Sequence, residues 1–177
     1  MKPLCRTFLL LTMLLALLSP LRASAQSDYI RLHIVAESDS LHDQAVKLCV
    51  RDDIRAYTTA LLSESSSPDE AWQVLLAHQE KLLGIAQESA ARYGFDGSVS
   101  LDLGVFPFPD RTYGGELVPA GDYRAVRITL GEGKGRNWWC VVYPSLCLPE
   151  TADTDGPVEF YSSILRWAIR MWEAIVQ

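Results

Sequence analysis

The stretch GEGKGRNWWCVVYPSLC, residues 131–147, contains residue types that serve more than one kind of chemistry. Glycines around a lysine are typical of a loop whose backbone amides cradle a phosphate. That chemistry requires a loop that follows a strand and opens a helix. Here Lys134 is followed by Gly135 instead of Ser or Thr, and the residues after the loop have a strand pattern. The pattern therefore predicts a hairpin turn and disfavours a nucleotide site.

Cys140 in the same stretch is a candidate nucleophile. A cysteine nucleophile needs a histidine base within hydrogen-bond reach. The histidines of the chain are His33, on the polar face of a strand pattern, and His42 and His78, both in helical patterns. No dyad can be read from these positions, so we expect solvated histidines and a structural cysteine.

Asp39, His42 and Asp43 form a candidate metal or acid–base group. Aspartates at the start of a helix are already explained by capping and by the helix dipole. The carboxylate pairs at 52–53 and 69–70 lie in helical patterns, where solvent exposure is the rule. The sequence therefore predicts no catalytic residues, no metal site and no cofactor, and it favours a binding or signalling protein over an enzyme.

Residues 1–25 have the three-part pattern of a secretory signal peptide. Lys2 and Arg6 precede an apolar run, and small residues at 23–25 stand before Gln26. The apolar run is shorter than the roughly 20 residues of a bilayer span. We therefore expect a secreted protein whose mature chain starts at Gln26. The net charge of −6 disfavours nucleic acid as a partner, because an acidic protein repels phosphate backbones.

The cysteines agree with export. An oxidising compartment permits a disulfide between Cys140 and Cys147, which are close along the chain. The alternative, that these two and Cys49 are all buried thiols, stays open.

Around these residues the hydrophobic pattern predicts one α/β (α+β) domain over residues 26–147. A strand around residues 30–34 leads into a helix that Ser40 caps, and a second long helix begins at Ser67 and ends near Gly94. Strand patterns follow at 99–105, 122–130 and 137–143. The predicted order is β-α-α-β-β-β-α, with a mostly antiparallel sheet because three strands follow one another.

The end of the chain is predicted to be separate from this domain. Residues 148–157 have the composition of a polar linker, and residues 158–177 have the pattern of a C-terminal amphipathic helix with a wide apolar surface. That surface must be covered by the domain, by a membrane or by a partner. Arg166 and Arg170 are balanced by Glu159 and Glu173, so a peripheral membrane contact would depend on the apolar face alone.

Trp138 and Trp139 are adjacent in a strand pattern and therefore point to opposite faces of a sheet. We expect one in the core. The other needs cover from the C-terminal helix, from the loop that begins at residue 106, or from a partner.

Two segments resemble the stage II sporulation protein R family of endospore-forming bacteria. They are IRLHIVAESDSLHDQAVKLCVRD (30–52) and FPFPDRTYGGELVPAGDYRAVRITLGEGKGRNWWCVVYPSLC (106–147). The aromatic C-terminal segment is similar more loosely. The resemblance implies a signalling protein that is made in the forespore and exported into the intermembrane space between forespore and mother cell. There it would activate a membrane-embedded sporulation aspartic protease, which processes the sigma E precursor.

Aromatic and turn residues cluster in the strongest of these motifs. We therefore expect the surface that contacts the protease to lie around five residues: Tyr113, Gly114, Tyr123, Trp138 and Trp139. The alternative function is an exported hydrolase that acts on cell-wall material, with Cys140 or the group at 39–43 as its centre.

Overall fold

The computed structural model describes residues 28–144. This part of the chain contains both helices and strands, which confirms the predicted mixed α/β class. The helices are α1 (Leu41–Leu61), α2 (Pro68–Ala77) and α3 (Gln79–Arg92). The strands are β1 (Ile30–Val35), β2 (Val99–Phe108), β3 (Arg111–Tyr113), β4 (Glu116–Val118), β5 (Gly121–Leu130) and β6 (Asn137–Tyr143). The predicted signal peptide (1–25), linker (148–157) and C-terminal helix (158–177) lie outside the described residues.

Four of the strands form one sheet in the order β2-β5-β1-β6, and β3 and β4 form a separate two-stranded hairpin. β2 pairs with β5 and β6 pairs with β1 in antiparallel fashion, whereas β1 and β5 are parallel. The prediction of a mostly antiparallel sheet is therefore confirmed. The parallel pair was not predicted, and it places β1 between β5 and β6.

The helix ends follow the predicted chemistry. Ser40 accepts a hydrogen bond from the amide of Asp43 at 3.0 Å, and Ser67 accepts one from the amide of Glu70 at 3.2 Å. These bonds satisfy amides that have no partner within their own helix. At the other end of α3, Gly94 has φ +77 and follows the last helical turn, as predicted for a glycine that closes a helix.

Two predicted elements are wrong. The long second helix is broken at His78, whose backbone has φ −105 and ψ 13 and whose ring Nδ1 lies 2.8 Å from the Tyr57 hydroxyl of α1. The segment between the second and third predicted strands, predicted as a loop, contains the hairpin of β3 and β4. Strands of three residues are too short to show an alternating pattern.

The helices cover one face of the sheet. Residues of β1 and β5, such as Leu32 and Ile128, pack there in one buried cluster with Val46, Val50 and Ile54 of α1. The opposite face, called here the helix-free face, has its own smaller buried cluster. Its members are Phe108, Tyr113, Val118, Tyr123, Ala125 and Val141. Within residues 28–144, none of the helices is long and apolar enough to cross a membrane.

Candidate functional site

The glycine-rich loop at 131–136 connects β5 to β6 across the end of β1. The predicted hairpin is therefore wrong, because β1 lies between the two strands that a hairpin would pair. The loop bonds to the chain that leaves β1: the amide of Lys134 donates to the Glu37 carbonyl at 3.1 Å, and the amide of Gly135 donates to the Ala36 carbonyl at 2.9 Å. A Cβ on Gly135 would lie 2.3 Å from the carbonyl oxygen of Ser38, so the close approach requires glycine.

Two carboxylates of the β1–α1 segment occupy further amides of the same loop. Glu37 Oε2 accepts from the amide of Glu132 at 2.8 Å, and Asp39 Oδ1 accepts from the amide of Arg136 at 2.7 Å. A bound phosphate would need free amides of this kind. The loop is therefore filled by the protein's own carboxylates, which argues further against a nucleotide site.

The side chain of Lys47 in α1 forms a hydrogen bond to this loop. Its ammonium donates to the Arg136 carbonyl at 3.0 Å and to Gln44 Oε1 at 2.6 Å, and the residue is 4% exposed. Burial, together with the neighbouring charge of Arg136, lowers the pKa of Lys47 to about 8. A buried cation thus connects helix α1 to the loop.

The candidate acid–base group at 39–43 has structural partners. His42 Nδ1 lies 3.3 Å from Asp43 Oδ1, and its Nε2 lies 3.1 Å from the Tyr93 carbonyl at the end of α3. The other oxygen of Asp43 accepts from the Ser38 hydroxyl at 2.5 Å, and this bond is the main reason that the pKa of Asp43 is lowered. In the described part of the chain, no three His, Cys, Asp or Glu residues converge as metal ligands would.

Cys140 is 2% exposed and belongs to the cluster beneath the helices. It forms a disulfide. Cys147 lies outside the described residues, so the Cys140–Cys147 pairing stays a prediction. His33 lies on the opposite face of the sheet, where its ring stacks on Trp139. The structure therefore does not bring His33 and Cys140 together as a dyad.

A buried arginine lies at the centre of the helix-free face. Arg31 is fully buried, and its guanidinium carbon lies 4.5 Å from the ring centre of Phe108 and 5.1 Å from that of Tyr123. Its Nη2 donates to the Tyr113 hydroxyl at 2.9 Å, and its Nε donates to the Cys140 carbonyl at 3.2 Å. Among residues 28–144 no carboxylate forms an ion pair with it. Burial is the main cause that lowers the pKa of Arg31.

The hairpin of β3 and β4 covers this arginine, and two tyrosines bond to the segment that contains β4. The Tyr29 hydroxyl donates to Glu116 Oε1 at 2.5 Å, and the Tyr123 hydroxyl donates to the Pro119 carbonyl at 2.7 Å. Leu117 in β4 is 62% exposed. The hairpin therefore has a firmly bonded base and an accessible outer side.

The five predicted contact residues do not form one surface. Tyr113 and Tyr123 are buried around Arg31, so a partner cannot reach their rings in this structure. Gly114 is exposed in the turn between β3 and β4. Trp138 packs beneath the helices, with the guanidinium carbon of Arg51 4.5 Å from its ring centre, whereas Trp139 joins the helix-free cluster. The prediction that the two tryptophans point to opposite faces is confirmed.

Trp139 ends a row of side chains that crosses the sheet on the helix-free face. The register places Asp102 of β2, Arg127 of β5, His33 of β1 and Trp139 of β6 side by side, and we call these four residues the cross-strand row. Arg127 and Asp102 form an ion pair at 2.9 Å, and the rings of His33 and Trp139 are stacked with their centres 3.8 Å apart. The row is partly exposed, so it is the accessible part of this face.

Comparison with known proteins agrees with the resemblance noted in the sequence. The family model described as stage II sporulation protein R matches residues 26–153. This chain belongs to the stage II sporulation protein R family. Over 130 residues it is 38% identical to the stage II sporulation protein R of Bacillus subtilis (strain 168), an alignment that covers 73% of this chain and 58% of that relative. No solved structure matches the chain.

Arg31 and the β3–β4 hairpin both lie within residues 26–153, the region that matches the stage II sporulation protein R family. Sequence reasoning missed Arg31. It alternates with Ile30 and Leu32, and this pattern is typical of a strand with one exposed face, so the sequence does not indicate its burial. In the sequence, the one feature that could have indicated a cover over that strand face is the run of aromatic residues at 106–123.

Proposed function

We propose that this protein is an exported sporulation signalling protein that activates a membrane-embedded aspartic protease in the neighbouring cell. Activation would lead to processing of the sigma E precursor. Family membership over residues 26–153 is the observation that carries the proposal. The alignment with the relative covers only 58% of the relative's length. The activity of this chain is therefore a proposal.

A signalling role without catalysis is part of this proposal. Its support is that the residues first considered for chemistry are engaged elsewhere in the described structure. Cys140 is in a disulfide, His42 contacts the end of α3, and Asp39 accepts from the glycine-rich loop. These contacts hold elements together, so Cys140 and the group at 39–43 are not assembled as a nucleophile and its base.

The proposed location is the intermembrane space between forespore and mother cell. The signal-peptide pattern of residues 1–25 supports export, and the family match begins at residue 26, where the mature chain is predicted to start. The disulfide at Cys140 also fits an oxidising compartment outside the cytoplasm.

The hairpin of β3 and β4 is the proposed contact with the protease. Of the five residues predicted for this contact, Gly114 lies in its exposed turn, and Tyr113 and Tyr123 hold its base. Leu117 adds an exposed apolar side chain to the accessible side. A ligand activates a receptor only if it binds the active arrangement better than the inactive one, and a rigid hairpin loses little entropy on binding.

The direct test measures processing of the sigma factor precursor in cells that also express the membrane protease. The chain is supplied either complete or without residues 2–25. We expect cleavage of the precursor only with the complete, exported chain. If neither form causes cleavage although both are folded and present, the proposed activation is wrong.

A matched pair of variants tests the contact surface in the same assay. Leu117→Ser changes an exposed side chain of the hairpin, and Val105→Ser changes an exposed side chain of β2, with 62% and 55% exposure respectively. We expect a large loss of precursor cleavage for Leu117→Ser and near-normal cleavage for Val105→Ser. Equal cleavage by the two variants, at equal protein levels, would exclude the hairpin as the contact.

A further inference from the structure

The two faces of the sheet are covered to different extents. Helices cover most of one face, whereas the hairpin covers only the part of the helix-free face around Arg31. The cross-strand row stays partly exposed, including the rings of His33 and Trp139. The guanidinium carbon of Arg127, in the same row, lies 4.4 Å from the ring centre of Phe106. A sheet face with partly exposed aromatic rings is one on which a further layer can pack.

The sequence supplies a candidate for that layer. Residues 158–177 have a wide apolar surface that must be covered, as the sequence pattern shows. They follow β6, which is the last described strand and also carries Trp139. We propose that residues 158–177 pack across the cross-strand row, on the helix-free face beside the hairpin.

The intervening chain is long enough for this arrangement. The distance from β6 to β2 is about 15 Å, given strand spacings of about 4.8 Å. Residues 145–157 can extend over roughly 40 Å, and a helix over residues 158–177 would be about 30 Å long. The segment can therefore reach across all four strands. Because the segment is covalently attached, its effective concentration at the row is higher than that of a second molecule in solution.

Adjacent tryptophans on opposite faces provide the readout. Hydroxyl-radical footprinting of the full mature chain, read by mass spectrometry, measures the oxidation of Trp139 separately from that of Trp138. Ile164→Asp with Ile175→Asp introduces two acids into the apolar surface of the segment. Ser163→Asp with Gln177→Asp introduces two acids into its polar stripe and serves as the matched control.

We expect the apolar-surface pair to raise the oxidation rate of Trp139 severalfold and to leave that of Trp138 unchanged. The polar-stripe pair should change neither rate. An unchanged Trp139 in the first pair would overturn the proposal, and so would equal changes at both tryptophans, which would indicate general unfolding.

Other occupants of the face give different results. If Trp139 becomes protected only on addition of phosphatidylglycerol vesicles, a membrane covers the row instead. If its protection depends on protein concentration, a second copy covers the row. Either result contradicts the proposal. The measurement involves no protease, so its outcome is independent of the proposed signalling function.

Discussion

Arg31 Nη2 donates to the Tyr113 hydroxyl at 2.9 Å, and both residues are buried between the sheet and the β3–β4 hairpin. Among residues 28–144, the second terminal nitrogen of the guanidinium, Nη1, has no hydrogen-bond partner. Tyr113 therefore supplies one of the few acceptors that compensate a buried cation. This bond connects β3 of the hairpin to β1 of the sheet.

Tyr113→Phe should lower the unfolding free energy by about 1–3 kcal/mol, because it leaves a buried charged donor without its acceptor. Tyr29→Phe is the matched control, since Tyr29 also bonds to the hairpin, through Glu116, but near the surface. Its cost should be below about 1 kcal/mol. Urea denaturation of the two variants measures the difference. Equal losses of unfolding free energy would mean that the buried Arg31–Tyr113 bond contributes no more to stability than the exposed Tyr29–Glu116 bond.

Gly135 allows the glycine-rich loop to touch the chain that leaves β1. Gly135→Ala should lower the unfolding free energy by about 1–3 kcal/mol, because the added Cβ would meet the Ser38 carbonyl. Gly84→Ala in α3 is the control, since a Cβ there meets nothing within 4 Å. It should raise the unfolding free energy by about 0.5–1 kcal/mol through helix propensity. Thermal unfolding of both variants should therefore shift the midpoint in opposite directions.

Local patterns allowed much of the fold to be predicted. The apolar stripe of α1 and the caps at Ser40 and Ser67 are local features, and the structure contains them as expected. The break at His78 was not predicted because the apolar spacing continues through it, and the contact of His78 is with Tyr57, 21 residues earlier. Local spacing does not contain that information.

The site was harder to predict than the fold, because it depends on strand order. The sequence places Lys134 and Gly135 in a turn, but only the position of β1 between β5 and β6 turns that loop into a partner of Glu37. In the same way, Arg31 alternates with apolar residues like any exposed strand residue. It is buried because Tyr113 of a distant hairpin covers it, together with the rings of Phe108 in β2 and Tyr123 in β5.

Lys47 should make the stability depend on pH in the alkaline range. Its pKa is about 8 in the folded protein and 10.5 in an ordinary environment, so between these values the unfolded state binds more protons. Stability from this group therefore rises as the pH increases from 8 towards 10.5 and is lost again as the pH falls. The slope cannot exceed about 1.4 kcal/mol per pH unit.

The measurement compares the native chain with Lys47→Met at several pH values between 8 and 10. Because other groups can also titrate at alkaline pH, the informative quantity is the difference in unfolding free energy between the two proteins. We expect the unfolding free energy of the native chain to increase relative to that of the variant as the pH rises. A difference that stays constant would show that Lys47 keeps its ordinary pKa in the folded protein.

His33 should have the corresponding effect near neutral pH. Burial lowers its pKa below 6.5, and the charge of Arg127 acts in the same direction, against the weaker opposing effect of the bond to Asn137. The unfolded state therefore binds the proton first as the pH falls. The stability contributed by neutral His33 is present above pH 6.5 and is lost as the pH falls from 6.5 through the lower pKa of the folded protein.

His33→Gln removes this titration, so the native chain should lose stability relative to the variant between pH 7.5 and 5.5. Urea denaturation at both pH values gives the comparison, and the titration of the His33 ring by NMR gives its midpoint directly. A midpoint above 6.5 would contradict the expected direction. A midpoint below 6.5 means that the imidazole stacked on Trp139 is neutral at physiological pH, so the cross-strand row then carries Arg127 as its only cation.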